Sequence, residues 1–122
     1  EEMIKGQRQK ANYYLRGLKG VKGVQAITSP ALGSGAYPYL TLLFSHPQQR
    51  NRFLAKHEDS GLGVSVIYTG TVNNYPYIKE ILPEGKFPNA KSLCERHLTL
   101  STSVFLKRSE QDRLIEELRN FE

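Results

Sequence analysis

A chain of 122 residues with 39% hydrophobic and 24% charged side chains has the length and composition of one folded unit, 1–122, built round one core. No run approaches the roughly 18 apolar residues a membrane span needs, which excludes a bilayer helix. The net charge of +5 is concentrated in residues 1–22, where Lys5, Arg8, Lys10, Arg16, Lys19 and Lys22 face only Glu1 and Glu2, and the remainder is nearly balanced.

In chain order, Ile4, Ala11, Tyr14, Leu15 and Leu18 return to one face of a helix over 2–19, and Gly20 supplies its stop. The cations of this segment fall all round that helix without a glycine-aromatic RNA-binding signature, so a solvated face is favoured over a nucleic-acid surface. Val24 to Thr28 reads as a short strand and "SPALGSG" as a glycine-proline loop. Ala36 to Phe44, "AYPYLTLLF", is the longest expected strand. Pro38 argues for an edge strand or a strand start, because proline cannot donate to the ladder.

"SHPQQRNRFLAKHEDSG" places Pro47 in a first helical turn and Gly61 at the stop, with Phe53, Leu54 and His57 as a narrow inner face. From Gly63 to Tyr68, Val64, Val66 and Tyr68 alternate with Ser65 and Ile67, the pattern of a largely buried strand. Residues 69–87 form a long connection, of the kind that tends to carry function in a compact domain. Pro88 opens a helix with Ala90, Leu93, Cys94 and His97 on one face, and Leu98 to Thr102 is a strand. In "SEQDRLIEELRNF", Ser109 and Asp112 form a carboxylate variant of the capping box, and Leu114, Ile115, Leu118 and Phe121 share one face. This order implies an α+β fold, with helices packed on a small, mostly antiparallel sheet of about four strands.

No complete catalytic apparatus emerges. "ALGSGAYPYL" lacks the third glycine and the Lys-Ser/Thr ending of a phosphate loop. Cys94 has no disulfide partner and reads as a small buried hydrophobe beside His97, and His46, His57 and His97 make no metal-ligand cluster. A lone cysteine fits a reducing compartment, and cytoplasm is the expected location. The start, "EEMIKGQRQKANYYL", has no apolar signal core and no initiator Met, so the expectation is a chain cut from a longer polypeptide.

Thr69 to Tyr77 packs one Gly, two Asn, one Pro and two Tyr into nine residues. With Tyr68, the side chains Asn73, Asn74, Tyr75 and Tyr77 offer amide hydrogen bonds and aromatic faces to a ligand. The same residues are also ordinary turn chemistry, with Tyr75-Pro76-Tyr77 packing over the sheet end. Arg96 and His97 are secondary candidates, with helix capping as the alternative.

Several blocks carry a resemblance. "RQKANYYLRGL", "AYPYLTLLF", "PQQRNRFLAKHEDSGLGVSVIY" and "FPNAKSLCERHLTLSTSVFLKRSEQDRLIEEL" follow the order of the C-terminal domain in the DegT/StrS-type family of pyridoxal-phosphate sugar aminotransferases, which the chain resembles over almost its whole length. It departs where that family often has His-Tyr, here Ile67-Tyr68, and where it usually has Leu-Pro, here Leu100-Ser101. The resemblance implies the small domain of a fold-type I enzyme that moves an amino group from a glutamate-type donor to a nucleotide-linked keto sugar. It also implies that the cofactor-bearing lysine and most contacts to pyridoxal phosphate (PLP) belong to a larger N-terminal domain, that the parent is a homodimer, and that no residue here is catalytic or binds the cofactor covalently. Tyr68, Asn73, Asn74, Tyr75 and Tyr77 would then wall the sugar pocket. A stand-alone α+β small-molecule-binding or regulatory module is the alternative.

Overall fold

The computed structural model describes residues 1–30, 33–82 and 85–121. Ala31 and Leu32 of the expected glycine-proline loop, and Pro83 and Glu84 of the 69–87 connection, lie outside the described residues.

Helix α1 (Glu2–Gly17) opens the chain and ends as expected, with Gly20 turning the backbone at φ +78°, a conformation side chains resist. Strands β1 (Val24–Ile27) and β2 (Tyr39–Phe44) pair antiparallel, followed by α2 (Pro47–His57) and β3 (Val64–Ser65). A 3-10 turn (Val72–Asn74) and a four-residue α3 (Pro76–Lys79) interrupt the long connection before α4 (Pro88–Arg96), β4 (His97–Ser101) and α5 (Arg108–Arg119). The sheet order is β1-β2-β4-β3 with every pair antiparallel, the α+β architecture expected.

Alternation in the strands divides the sheet into two faces. Leu40, Leu42 and Phe44 of β2, Leu98 and Leu100 of β4 and Val64 of β3 point to one side, where Tyr14 and Leu18 of α1, Phe53 of α2 and Leu114 and Leu118 of α5 complete a continuous core. Phe53 packs tilted on Phe44 at 5.9 Å and edge-on to Phe121 at 5.4 Å. Tyr39, Thr41, Ser65, His97, Thr99 and Ser101 take the opposite face.

Three expectations change in detail, and of the two readings of Pro38 the strand start holds. β2 lies inside the sheet, and Pro38 stands just before its first paired residue, so the missing N–H costs no ladder bond. The expected strand Gly63 to Tyr68 pairs only at Val64 and Ser65, after which Ile67 and Tyr68 turn outward and are exposed. α4 buries none of its residues: it lies at the rim of the sheet, Leu93 and Ala90 stay exposed, Cys94 is half-buried, and His97 begins β4 rather than ending the helix. Helix α5 starts at Arg108, because the Glu110 carboxylate accepts the Lys107 N–H at 2.6 Å, while Asp112 is engaged by the Tyr13 hydroxyl.

Candidate functional site

The second sheet face carries two adjoining hollows. One, of about 240 Å³, is lined by Ile27, Thr41, Tyr68, Leu93 and His97, and the other, of about 360 Å³, by Pro38, Gly63, Ser65 and Ser101. Tyr39, Ile67 and Thr99 line both. Antiparallel register creates this grouping by setting Tyr39 opposite Ser101, Thr41 opposite Thr99 and Ser65 opposite Thr99. Thr99 Oγ1 donates to the Ser65 carbonyl at 3.1 Å, which leaves the Ser65 hydroxyl to donate to Thr99 Oγ1 across 2.9 Å. The floor is therefore a hydroxyl pair, bordered by the apolar or aromatic side chains of Ile27, Tyr39, Ile67 and Leu93, each about two-fifths exposed.

His97 stands at the end of the smaller hollow and is 2% exposed. Its Nδ1 lies 2.9 Å from the Leu93 carbonyl and 3.2 Å from that of Cys94, and its Nε2 lies 3.2 Å from the Tyr68 amide nitrogen. The Tyr68 ring tilts over the imidazole at 5.7 Å between centroids. Arg50, reaching across from α2, donates to the carbonyls of Cys94 at 3.3 Å and His97 at 3.1 Å, so side chains meet the Cys94 carbonyl in the last turn of α4. Burial holds the Arg50 guanidinium below the usual arginine range, a shift that Cys94 and Glu95 oppose. Arg96 points elsewhere, to the Phe44 carbonyl at 3.1 Å.

Of the five residues singled out in the sequence, Tyr68 lines a hollow and is 55% exposed. Asn73 and Asn74 lie on the 3-10 turn, Tyr77 on α3 and Tyr75 between the two, all outside the linings of both hollows. Asn74 N–H closes the turn on the Thr71 carbonyl at 2.9 Å, and the exposed rings of Tyr75 and Tyr77 pair at 5.8 Å. Tyr39, Thr41 and Thr99 were missed, although period-2 alternation against Leu40, Leu42, Leu98 and Leu100 would have placed them together on the opposite face.

Chemically, this surface can hydrogen-bond hydroxyl groups and pack against an apolar ring face. It does not fit a covalent pyridoxal site, because no lysine lines either hollow among the described residues. Nor do the described residues bring three His, Cys, Asp or Glu side chains together round a metal position. Among the same residues, no helix is long and apolar enough to cross a membrane.

Fold and sequence together define the class: the chain belongs to the DegT/DnrJ/EryC1/StrS aminotransferase family, whose sequence profile matches residues 1–119. Among solved structures it is similar to DesV of S. venezuelae, with 25% identity and a TM-score of 0.78 over 98% of this chain and 32% of that one. It is also similar in fold to DesI, determined in the presence of its TDP-sugar product, with 20% identity and a TM-score of 0.81 over 98% and 31% of the two chains. Spr1654 from Streptococcus pneumoniae, solved in PLP and PMP forms, gives 15% identity and a TM-score of 0.84 with the same coverage, 98% and 31%. The chain thus spans about a third of the length of the structures it matches. No curated protein matches it in sequence.

Proposed function

We propose that this chain is the C-terminal small domain of a PLP-dependent sugar aminotransferase, inert alone, which supplies one wall of the pocket for a nucleotide-linked keto sugar. The observation that carries the reading is the unfinished second sheet face, where the hydroxyls of Thr41 and Tyr68 border the same hollow as half-exposed Ile27, Tyr39 and Ile67 in a chain of this family. A sugar presents hydroxyl edges and apolar faces, and this surface has partners for both. In this reading Tyr68, at the hollow, is joined at the sugar by Asn73, Asn74, Tyr75 and Tyr77 of the following loop. The PLP and PMP forms of Spr1654 and the TDP-sugar product of DesI support the cofactor and substrate class assigned to the parent.

In this reading a larger N-terminal domain of the same polypeptide holds the cofactor-bearing lysine, a glutamate-type compound donates the amine, and two copies assemble in the cytoplasm. The cofactor, when bound there, supplies the electron sink; the residues of this chain orient the sugar and exclude water. In the complete protein, Tyr68→Phe and Asn74→Ala should each lower sugar turnover by about tenfold, the worth of one hydrogen bond to substrate, and leave cofactor absorbance intact. Unchanged kinetics in both variants would remove the loop from the site. An antibody raised to the domain should detect a native polypeptide several times heavier than 13.9 kDa. A band at that mass would favour the stand-alone binding module.

A further inference from the structure

We infer that His97 is a positioning residue, a neutral imidazole with its proton on Nδ1, which pins the Tyr68 backbone so that the phenol stands over the smaller hollow. The inference deepens the proposed role of Tyr68 at the sugar, and its kinetic arm rests on that role.

The argument begins with what each ring nitrogen faces. Carbonyl oxygens only accept, so Nδ1, 2.9 Å from the Leu93 oxygen and 3.2 Å from the Cys94 oxygen, must carry a hydrogen. A backbone amide only donates, so Nε2, 3.2 Å from the Tyr68 nitrogen, must be bare. Together these contacts select one tautomer, and neither partner can reverse its role.

The connection matters because β3 ends at Ser65, so ladder pairing stops before Tyr68. What ties Tyr68 to β4 is the imidazole, through the amide bond and the ring contact at 5.7 Å. A helix cap alone would use only Nδ1. The Nε2 contact makes the residue a link between the end of α4 and the loop that carries all five proposed sugar residues.

The experiment uses the intact protein, labelled with 15N-histidine for the ring nitrogens and followed by hydrogen-deuterium exchange for the amides, with His97→Phe, which keeps ring volume without an acceptor, and His97→Gln, which places an amide oxygen near the Nε2 position. At neutral pH the His97 ring should show a protonated Nδ1 and a bare Nε2. The Tyr68 amide should exchange about tenfold faster in His97→Phe, the consequence of one lost hydrogen bond, and regain protection in His97→Gln. Leu98 and Leu100 amides report whether the core persists; should His97→Phe lose them, the wild-type tautomer decides. A ring protonated on Nε2, or a Tyr68 amide unmoved in a folded His97→Phe protein, overturns the inference. In kinetics, His97→Phe should lower kcat/KM for the sugar about tenfold at unchanged cofactor absorbance, with recovery in His97→Gln. A confirmed tautomer and amide bond with unchanged kinetics upholds the link and instead overturns the placement of Tyr68 at the sugar.

Discussion

Gly63 shows how one residue constrains the site. Its φ of +72° is a conformation that favours glycine, and a Cβ there would stand 2.4 Å from Ser101 Cβ, while its carbonyl accepts the Ser101 N–H at 2.8 Å. Backbone and side-chain space both forbid a methyl. Gly63→Ala should cost about 2–4 kcal/mol in a urea titration, from left-handed strain plus overpacking; a loss of only about 1 kcal/mol would mean that Ser101 moves aside freely, and an unchanged midpoint would overturn both causes. Arg50 acts through charge and reach. Both bonds leave one guanidinium nitrogen, Nη1, so Arg50→Ala should cost about 1–2 kcal/mol in the same measurement, as two half-buried carbonyls lose that donor together. Part of the basic excess of α1 has a similar use, since Arg8 donates to the Gly35 carbonyl and Lys10 to that of Leu106, while Arg16 lies over the Tyr13 ring of the same helix. Arg8 and Lys10 tie the helix to its neighbours, which composition alone does not reveal.

Between elements, the contact most open to titration joins α2 to α5. Glu117 receives Lys56 Nζ at 2.8 Å, His57 Nε2 at 2.5 Å and Arg113 Nε at 3.2 Å. Burial pushes the Glu117 carboxyl up, yet these three donors outweigh it and bring it down to about 2. A carboxyl lowered by folding stabilises the protein fully above its unfolded range, near 4.5, and that contribution disappears as pH falls toward about 2. Glu117→Gln should therefore cost about 1–2 kcal/mol at pH 7, allowing for solvent screening at Lys56 and Arg113, with the difference shrinking to nothing near pH 2 in acid-unfolding curves. A constant difference at every pH would assign the loss to packing. The inner face of α2 was legible as Phe53, Leu54 and His57 because three- and four-residue spacing fixes one helical side. The carboxylate that meets His57 lies 60 residues away and has no local signal. The short reach of β3 and the rim position of α4 were illegible for the same reason: alternation and helical spacing report a possible face, while pairing partners decide whether that face is covered.

At the scale of the molecule, the sheet is finished on one side and open on the other. Local patterning made the α+β order and the core strands readable, since Leu40, Leu42, Leu98 and Leu100 alternate with hydroxyl and aromatic residues. The hollow itself arises only when β4 enters between β2 and β3 and sets Thr99 beside both Thr41 and Ser65. An open face carrying Ile27, Tyr39, Ile67, Tyr68 and Leu93 has a consequence that can be measured without any substrate. Produced as the 122-residue chain alone, the protein should associate as concentration rises, because burying these side chains against a second copy removes apolar surface from water. Ile27→Lys together with Ile67→Lys should shift sedimentation toward the monomer while retaining the helical signal, since both side chains lie outside the core and the substitutions replace shared apolar surface with like charge. A wild-type chain that stays monomeric across the same concentrations would show that the hydroxyls of Thr41, Ser65 and Thr99 keep this face wet enough to stand alone, and the case for a covering domain would then rest on family membership.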